Sequence, residues 1–198
     1  VFYSTETGLP SFITTKNNDG GSRLSVKKDN QTATFDYLSE LKSILKLEKP
    51  EADFVIQHLK RDNSNKTRVR LAQQYLGVPI YGAEVIVHLN EFGQGESFNG
   101  KYYRIVEKID PNPAISERIA IDRVAAHLGK GVGLRPLNNL EKKLVQHEQP
   151  KATLCIYQDK GLVRTNVLAY HVVYCPSIQE RWEYLIDASN GAVLHHFQ

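Results

Sequence analysis

Residues 168–198 hold three short runs in which large apolar side chains recur at a period of two, separated by a charged Gln179-Glu180-Arg181 turn and by a Ser-Asn-Gly step. A period of two puts successive side chains on opposite faces of an extended chain, which a helix cannot do, so each run is half-buried sheet. Leu168–Tyr174 reads as one strand, Trp182–Ala188 as the next, and Ala192–Gln198 leaves as a third. Asn190 and Gly191 tolerate positive φ, and Asn-Gly is the strongest short hairpin signal. Asp187 is expected to order this turn through Asx-type hydrogen bonds and not to serve as an acid.

Upstream, the apolar period changes to three and four. Phe35, Leu38, Leu41, Ile44 and Leu45 align on one face of a helix expected over 34–47, and Pro50 ends any continuation. Phe54–Lys60 and Thr67–Tyr75 read as a hairpin across Asp62-Asn63-Ser64-Asn65. A strand over 82–89 and another over 96–103 follow, turned by Phe92-Gly93-Gln94-Gly95. Pro79 donates no ladder hydrogen bond and marks a strand start or bulge, while Gly77 and Gly82 beside it permit torsions closed to other residues. Ser116 is a plausible N-cap for a second helix to Leu128, with Ile119, Val124 and Leu128 as its apolar stripe and Gly129 just past its end. A short amphipathic piece lies near 140–145, and Ala152–Gln158 begins the final sheet. Near the start, Asn17–Gly21 is a loop and Phe12-Ile13 a short edge strand. A helix followed by meandering strands, twice over, implies an α+β protein.

Composition excludes more than it selects. The chain has 198 residues, 41% hydrophobic and 24% charged, with a net charge of +3. Its densest basic stretch, Lys60–Arg70, is broken by Asp62 and polar residues, so it reads as a solvated hairpin and not a phosphate-binding patch. No apolar run approaches the ~20 residues of a membrane span. Cys155 and Cys175 flank the strand expected over 162–174; they are either one disulfide or two buried thiols, and no Cys-x-x-Cys suggests a zinc knuckle or redox site.

Catalytic motifs are likewise missing. Zinc endopeptidases of the His-Glu-x-x-His type need two imidazoles one helical turn apart beside a general base. The nearest approach, His147-Glu148-Gln149-Pro150-Lys151, lacks the second histidine and carries a helix-breaking proline. There is no Gly-x-Ser-x-Gly elbow. His171 and Cys175, four apart at a strand, form no triad. Gly129–Gly133 follows a helix, whereas a phosphate-cradling loop follows a strand and opens a helix. Asn30-Gln31-Thr32 and Asn65-Lys66-Thr67 match the glycosylation pattern, which carries meaning only in a eukaryotic secretory host.

Two runs carry family resemblances. Gln73-x-Tyr75-x-Gly77-Val78-Pro79-x-x-Gly82-Ala83-Glu84-Val85, followed by Ser97-Phe98-Asn99-Gly100, resembles the fungalysin/thermolysin propeptide domain. Leu168-Ala169-Tyr170, followed by Ile186-Asp187-Ala188-x-x-Gly191-x-Val193-Leu194, resembles the PepSY domain. Their order is that found ahead of thermolysin-like catalytic domains of the vibriolysin and pseudolysin type. The resemblance implies two cystatin-like units, each a helix packed on an antiparallel sheet, over residues 1–108 and 109–198. It implies a secreted, non-catalytic prosegment that chaperones and inhibits its cognate metalloprotease. No cofactor is expected in this chain, zinc and calcium belonging to the partner catalytic domain. Nucleic acid, membrane and small-molecule substrates are not expected partners, and a signal peptide would have been removed before Val1. The rival reading is a free-standing extracellular PepSY-type binding module.

The resemblance also directs attention to the tail. In such precursors the segment after the PepSY domain enters the catalytic cleft, which assigns Leu194, His195, His196, Phe197 and Gln198 to cleft binding. An imidazole or a terminal carboxylate near the zinc would take the place of the catalytic water, and an end at Gln198 fits the junction of a processed product. Trp182 and Tyr184 are candidates for a docking surface, and Tyr170 for the core beneath the second helix.

Overall fold

A computed structural model describes residues 1–14, 29–129, 137–146, 149–159 and 165–198. The expected loop at Asn17–Gly21, most of the Gly129–Gly133 run, the His147-Glu148 pair and the start of the strand expected from Leu162 lie outside them. The chain divides into two compact units, Val1–Val106 and Glu107–Gln198.

In chain order the first unit comprises β1 (Phe2–Tyr3), β2 (Pro10–Thr14), α1 (Asn30–Glu40), α2 (Lys42–Leu45), α3 (Pro50–Asp53), β3 (Phe54–Arg61), β4 (Thr67–Tyr75), β5 (Val78–Leu89) and β6 (Gly95–Lys101). Its strands pair antiparallel in the order β1-β2-β6-β5-β4-β3. Alternation along β4 and β5 sends Val69, Leu71, Val85, Val87 and Leu89 to one face, where Leu38 of α1, Leu45 of α2 and Leu41 between them meet them. Each such side chain contributes about 1.5–3 kcal/mol on burial.

The helix expected over 34–47 is in fact two helices. α1 starts earlier, where Asp29 accepts hydrogen bonds from the Thr32 backbone N–H and hydroxyl at 2.9 and 2.6 Å; the Thr32 hydroxyl and amide hold the Asp29 carboxyl below its ordinary range. The helix breaks at Leu41, and Lys46 at φ 56° ends the second piece. Ile44 turns outward, 44% exposed. Pro50 opens the one-turn helix α3, because its missing N–H is one that the first helical turn leaves unbonded anyway.

The 73–85 motif is a hairpin with a bulge. Leu76 and Gly77 have φ 48° and 84° between the paired Tyr75 and Val78, the torsions of a two-residue type I′ turn. Beyond it, Gln74 pairs with Pro79 and Ala72 with Glu84, so residues 80–83 of β5 oppose Gln73 alone. Gly82, at φ 69°, bends the strand back into register. The Gln73 side chain, set free by the irregularity, donates from Nε2 to the Tyr103 carbonyl at 2.6 Å and accepts from the Tyr103 N–H at 2.8 Å. Both groups are buried, so this amide clamps the chain as it leaves β6.

A Cβ at Gly77 or Gly82 would meet nothing within 4 Å, so any penalty there is torsional. Gly82→Val and Gly77→Val are each expected to cost about 1–3 kcal/mol. Urea melts check this, and wild-type midpoints would show that the turn and bulge absorb a β-branched residue.

The second unit contains α4 (Glu117–Leu128), α5 (Asn139–Leu144), β7 (Lys151–Asp159), β8 (Thr165–Tyr174), β9 (Trp182–Asp187) and β10 (Val193–Phe197). The strands form an antiparallel meander. Ser116 caps α4 by accepting from the Ile119 N–H at 3.4 Å, and Asn138 with Glu141 forms a capping box on α5. The buried stripe of α4 is Ala120 and Val124, with Ile121 and Leu128 partly covered; Ile119 instead points outward, 42% exposed. Gly129 keeps right-handed torsions, φ −71°, rather than the left-handed turn expected after the helix. Each unit is thus a helix on an antiparallel sheet, an α+β protein as the periodicities imply.

Candidate functional site

The last hairpin is built from its turn outward. Asp187 Oδ1 accepts from the Ser189 N–H at 2.7 Å and from its hydroxyl at 2.6 Å, an Asx turn. Asn190 Oδ1 accepts from the Ala192 N–H at 2.8 Å. Gly191 takes φ 76°, whereas Asn190 keeps φ negative, so the connection is wider than a two-residue Asn-Gly turn. The Asp187 N–H donates to the Ala192 carbonyl at 2.8 Å and closes the loop.

β10 then runs back along β9, with His195 opposite Leu185, His196 opposite Tyr184 and Phe197 opposite Glu183. The expected tail therefore lies within its own sheet, and its two histidines fall on opposite faces. His196 lies flat on the Tyr184 ring, centroids 5.1 Å apart and planes 19° from parallel. Trp182 and His127 flank it at 5.9 and 5.2 Å. His127, from the last turn of α4, also meets the Tyr184 ring edge-on, and its Nδ1 lies 3.0 Å from the Tyr184 hydroxyl. Burial pushes the Tyr184 phenol upward from its ordinary pKa. On the other face, the rings of His195 and Phe197 stand 5.7 Å apart, with Phe197 39% exposed. Also on that face, His171 Nε2 and Glu183 Oε2 approach to 2.7 Å, and Arg181 stands 3.7 Å from Glu183.

This geometry revises the docking pair. Tyr184 is only 1% exposed and belongs to the second core, so a partner cannot rest on it; its ring is large enough to fill the space between α4 and the sheet. Trp182 is half-buried at the margin of that core. Tyr170 is buried and donates to the Ile115 carbonyl at 3.0 Å, bracing the entry to α4. His127 escaped the sequence reading because, at an exposed helical position, it breaks no pattern; its spacing of three from Val124 is the signal that places it beside the apolar stripe.

Cys155 and Cys175 are both buried free thiols. Burial pushes the Cys155 thiol up to about 12, far from the thiolate that nucleophilic chemistry needs. Among the described residues, no three His, Cys, Asp or Glu side chains gather as metal ligands, and no helix is long and apolar enough to cross a membrane. A polar cavity of about 390 Å³ in the first unit is lined by Asp29, Asn30, Arg61, Asn65 and Asn90 among others. The capping and turn bonds of Asp29 and Asn90 already occupy them.

Residues 52–102 match the fungalysin/thermolysin propeptide motif. The chain is 31% identical over 192 residues to neutral protease B of Bacillus subtilis, covering 95% of this chain and 33% of that protein. It is 26% identical to bacillolysin of Bacillus cereus over 98% of its own length and 32% of the relative. With thermolysin of Alicyclobacillus acidocaldarius it shares 31% identity over 68% of this chain and 23% of that one. The chain thus spans about a third or less of the relatives it matches.

Proposed function

We propose that this chain, a propeptide-type member of the thermolysin-like neutral protease family, is a non-catalytic prosegment that assists folding of its cognate zinc metalloprotease and then inhibits it. The observation that carries the reading is the matched share: nearly the whole chain aligns, yet with only a third of neutral protease B, and the motif within it is a propeptide motif. A precursor of that kind leaves the remaining two-thirds for a catalytic domain, where zinc, and calcium with it, would reside. The residues from about Glu107 onward would form the PepSY-type part, and the product would be secreted.

Two activities then follow from one contact surface. A prefolded partner that binds the native surface of a large domain lowers that domain's folding barrier, and the same surface, left in place, blocks the cleft. Leu194–Gln198 is the segment assigned to the cleft, because a substrate-like strand is recognised by main-chain pairing with side-chain pockets for selectivity.

Titrating the chain into the active cognate protease is expected to suppress peptide hydrolysis at concentrations of micromolar or below, since interfaces of ordinary size span roughly 10⁻¹²–10⁻⁶ M. The chain alone is expected to hydrolyse nothing. Unchanged turnover at high micromolar chain would sink the inhibitor reading. Refolding yields of the denatured catalytic domain, with and without the chain, test the chaperone part separately.

A further inference from the structure

β10 is an outer strand, and no described strand pairs with its free side. Outer strands are normally protected by charge, proline, a bulge or brevity, because their unpaired backbone groups invite another strand. β3 obeys this rule with Lys60, Arg61 and a bulge between Ile56 and His58. β1 obeys it by being two residues long. β10 is different: beyond the irregularity near its start, Val193–Gln198 contains no proline, lysine, arginine, aspartate or glutamate. Its two faces also differ, with His196 stacked on Tyr184 beside Trp182 and His127 while His195 and Phe197 face away together.

We infer that β10 meets its partner as a docked strand with divided faces. Its free edge pairs with an extended strand of the catalytic domain, His195 and Phe197 are presented to that domain, and His196 is a positioning residue that latches the strand to its own sheet through Tyr184 and His127. This rests on the tail reading above and specifies it: the tail does not peel away to reach the cleft, and the adjacent imidazoles have different tasks. The occupant is a domain of the same precursor because the relatives extend to about three times the share matched here. A latched strand also lowers the entropy lost on association, since its backbone is ordered beforehand.

Hydrogen exchange over residues 194–198, together with inhibition of the cognate protease, tests this on the full chain. His195→Ala and Phe197→Ala are each expected to weaken inhibition about fivefold or more, as truncated interface anchors do, with exchange in the free chain unchanged. His196→Ala and His127→Ala are expected to speed exchange of the β10 amides in the free chain, and His196→Phe, which restores a flat ring, to slow it again. In the complex, ladder amides of β10 and β9 keep their protection, and those on the free edge gain it. Loss of β10–β9 protection on complex formation would overturn the proposal, because the tail would then have peeled off. So would rapid β10 exchange in the unaltered free chain, or a chain dimer in sedimentation that Phe197→Ala dissociates. None of these outcomes bears on whether the unaltered chain inhibits, so failure here is separable from failure of the inhibitor reading.

Discussion

Gly100→Ala is expected to destabilise the first unit severely. Gly100 has φ 141°, a region that residues with a Cβ rarely occupy, and it sits opposite Val85 in the β5–β6 ladder. A methyl group there would run into the Glu84 carbonyl oxygen and come within 2.6 Å of the Val85 Cα. Both obstacles are backbone atoms of a central strand, so no side chain can swing aside. The torsional penalty of ~1–3 kcal/mol adds to the cost of spreading the ladder, giving on the order of 4 kcal/mol. Against a domain stability of about 5–15 kcal/mol, that leaves the unit marginal. With a urea m-value of about 1–3 kcal/mol/M for a small domain, the midpoint should fall by more than ~1 M. Hydrogen exchange of β5 and β6 peptides locates the loss in this unit. A midpoint within ~0.3 M of wild type would mean that the strands separate cheaply, and the close approach would not be structural. Gly77→Val and Gly82→Val form the internal comparison, since both have positive φ and open space.

Strand positions were legible where the apolar period was two and both ends carried turn residues. β3 and β4 begin at Phe54 and Thr67 as expected, because Asp62–Asn65 leaves the chain no other place to reverse. Turn geometry was less legible. The Asn190-Gly191 signal promised the tight turn, but side-chain hydrogen bonds from Asp187 and Asn190 stabilise a wider loop. The type I′ turn instead carries Leu76 at φ 48°, an unfavourable torsion for leucine that short-range propensity would not select. Strand pairing on both sides evidently offsets it. Helix limits failed for a similar reason. Ile44 and Ile119 fit the apolar spacing, yet a break at Leu41 rotates the first outward, and small Ala120 lets α4 pack close with the second outside.

The last hairpin was legible as strand, turn and strand, but not which of its two faces packs against the core. Adjacent residues of a strand point to opposite faces, so His195-His196 already implied one imidazole on each side of the sheet. Which side held the core depended on Tyr184, whose burial cannot be read from its own neighbours. His127 joins the cluster from 57 residues before Tyr184, a proximity that only tertiary packing creates.

Deleting Leu194–Gln198 is expected to separate inhibition from folding of the chain itself. The buried cluster of the second unit runs from Ala120 to Ala188, so none of its members lies in the deleted segment. Truncation removes the ring that lies over Tyr184 and leaves β9 as the outer strand, a loss confined to the margin of the sheet. If the tail occupies the cleft, residual protease activity at a fixed excess of chain should rise about tenfold or more, the loss of some 1.4 kcal/mol or greater of blockade. Complex formation should weaken less. A stable interface buries about 800 Å² on each partner, and five tail residues supply only a fraction of that. Calorimetry and hydrolysis of a small peptide substrate, measured on the same truncated chain, give both quantities. A short substrate matters, because a large one could be excluded by the folded units even with the cleft open. Should the truncated chain still block small-peptide hydrolysis fully, the folded units themselves cover the cleft, and the tail has no part in inhibition. Should affinity collapse together with inhibition, the tail is the main anchor, and the sheet surfaces contribute little to holding the partner.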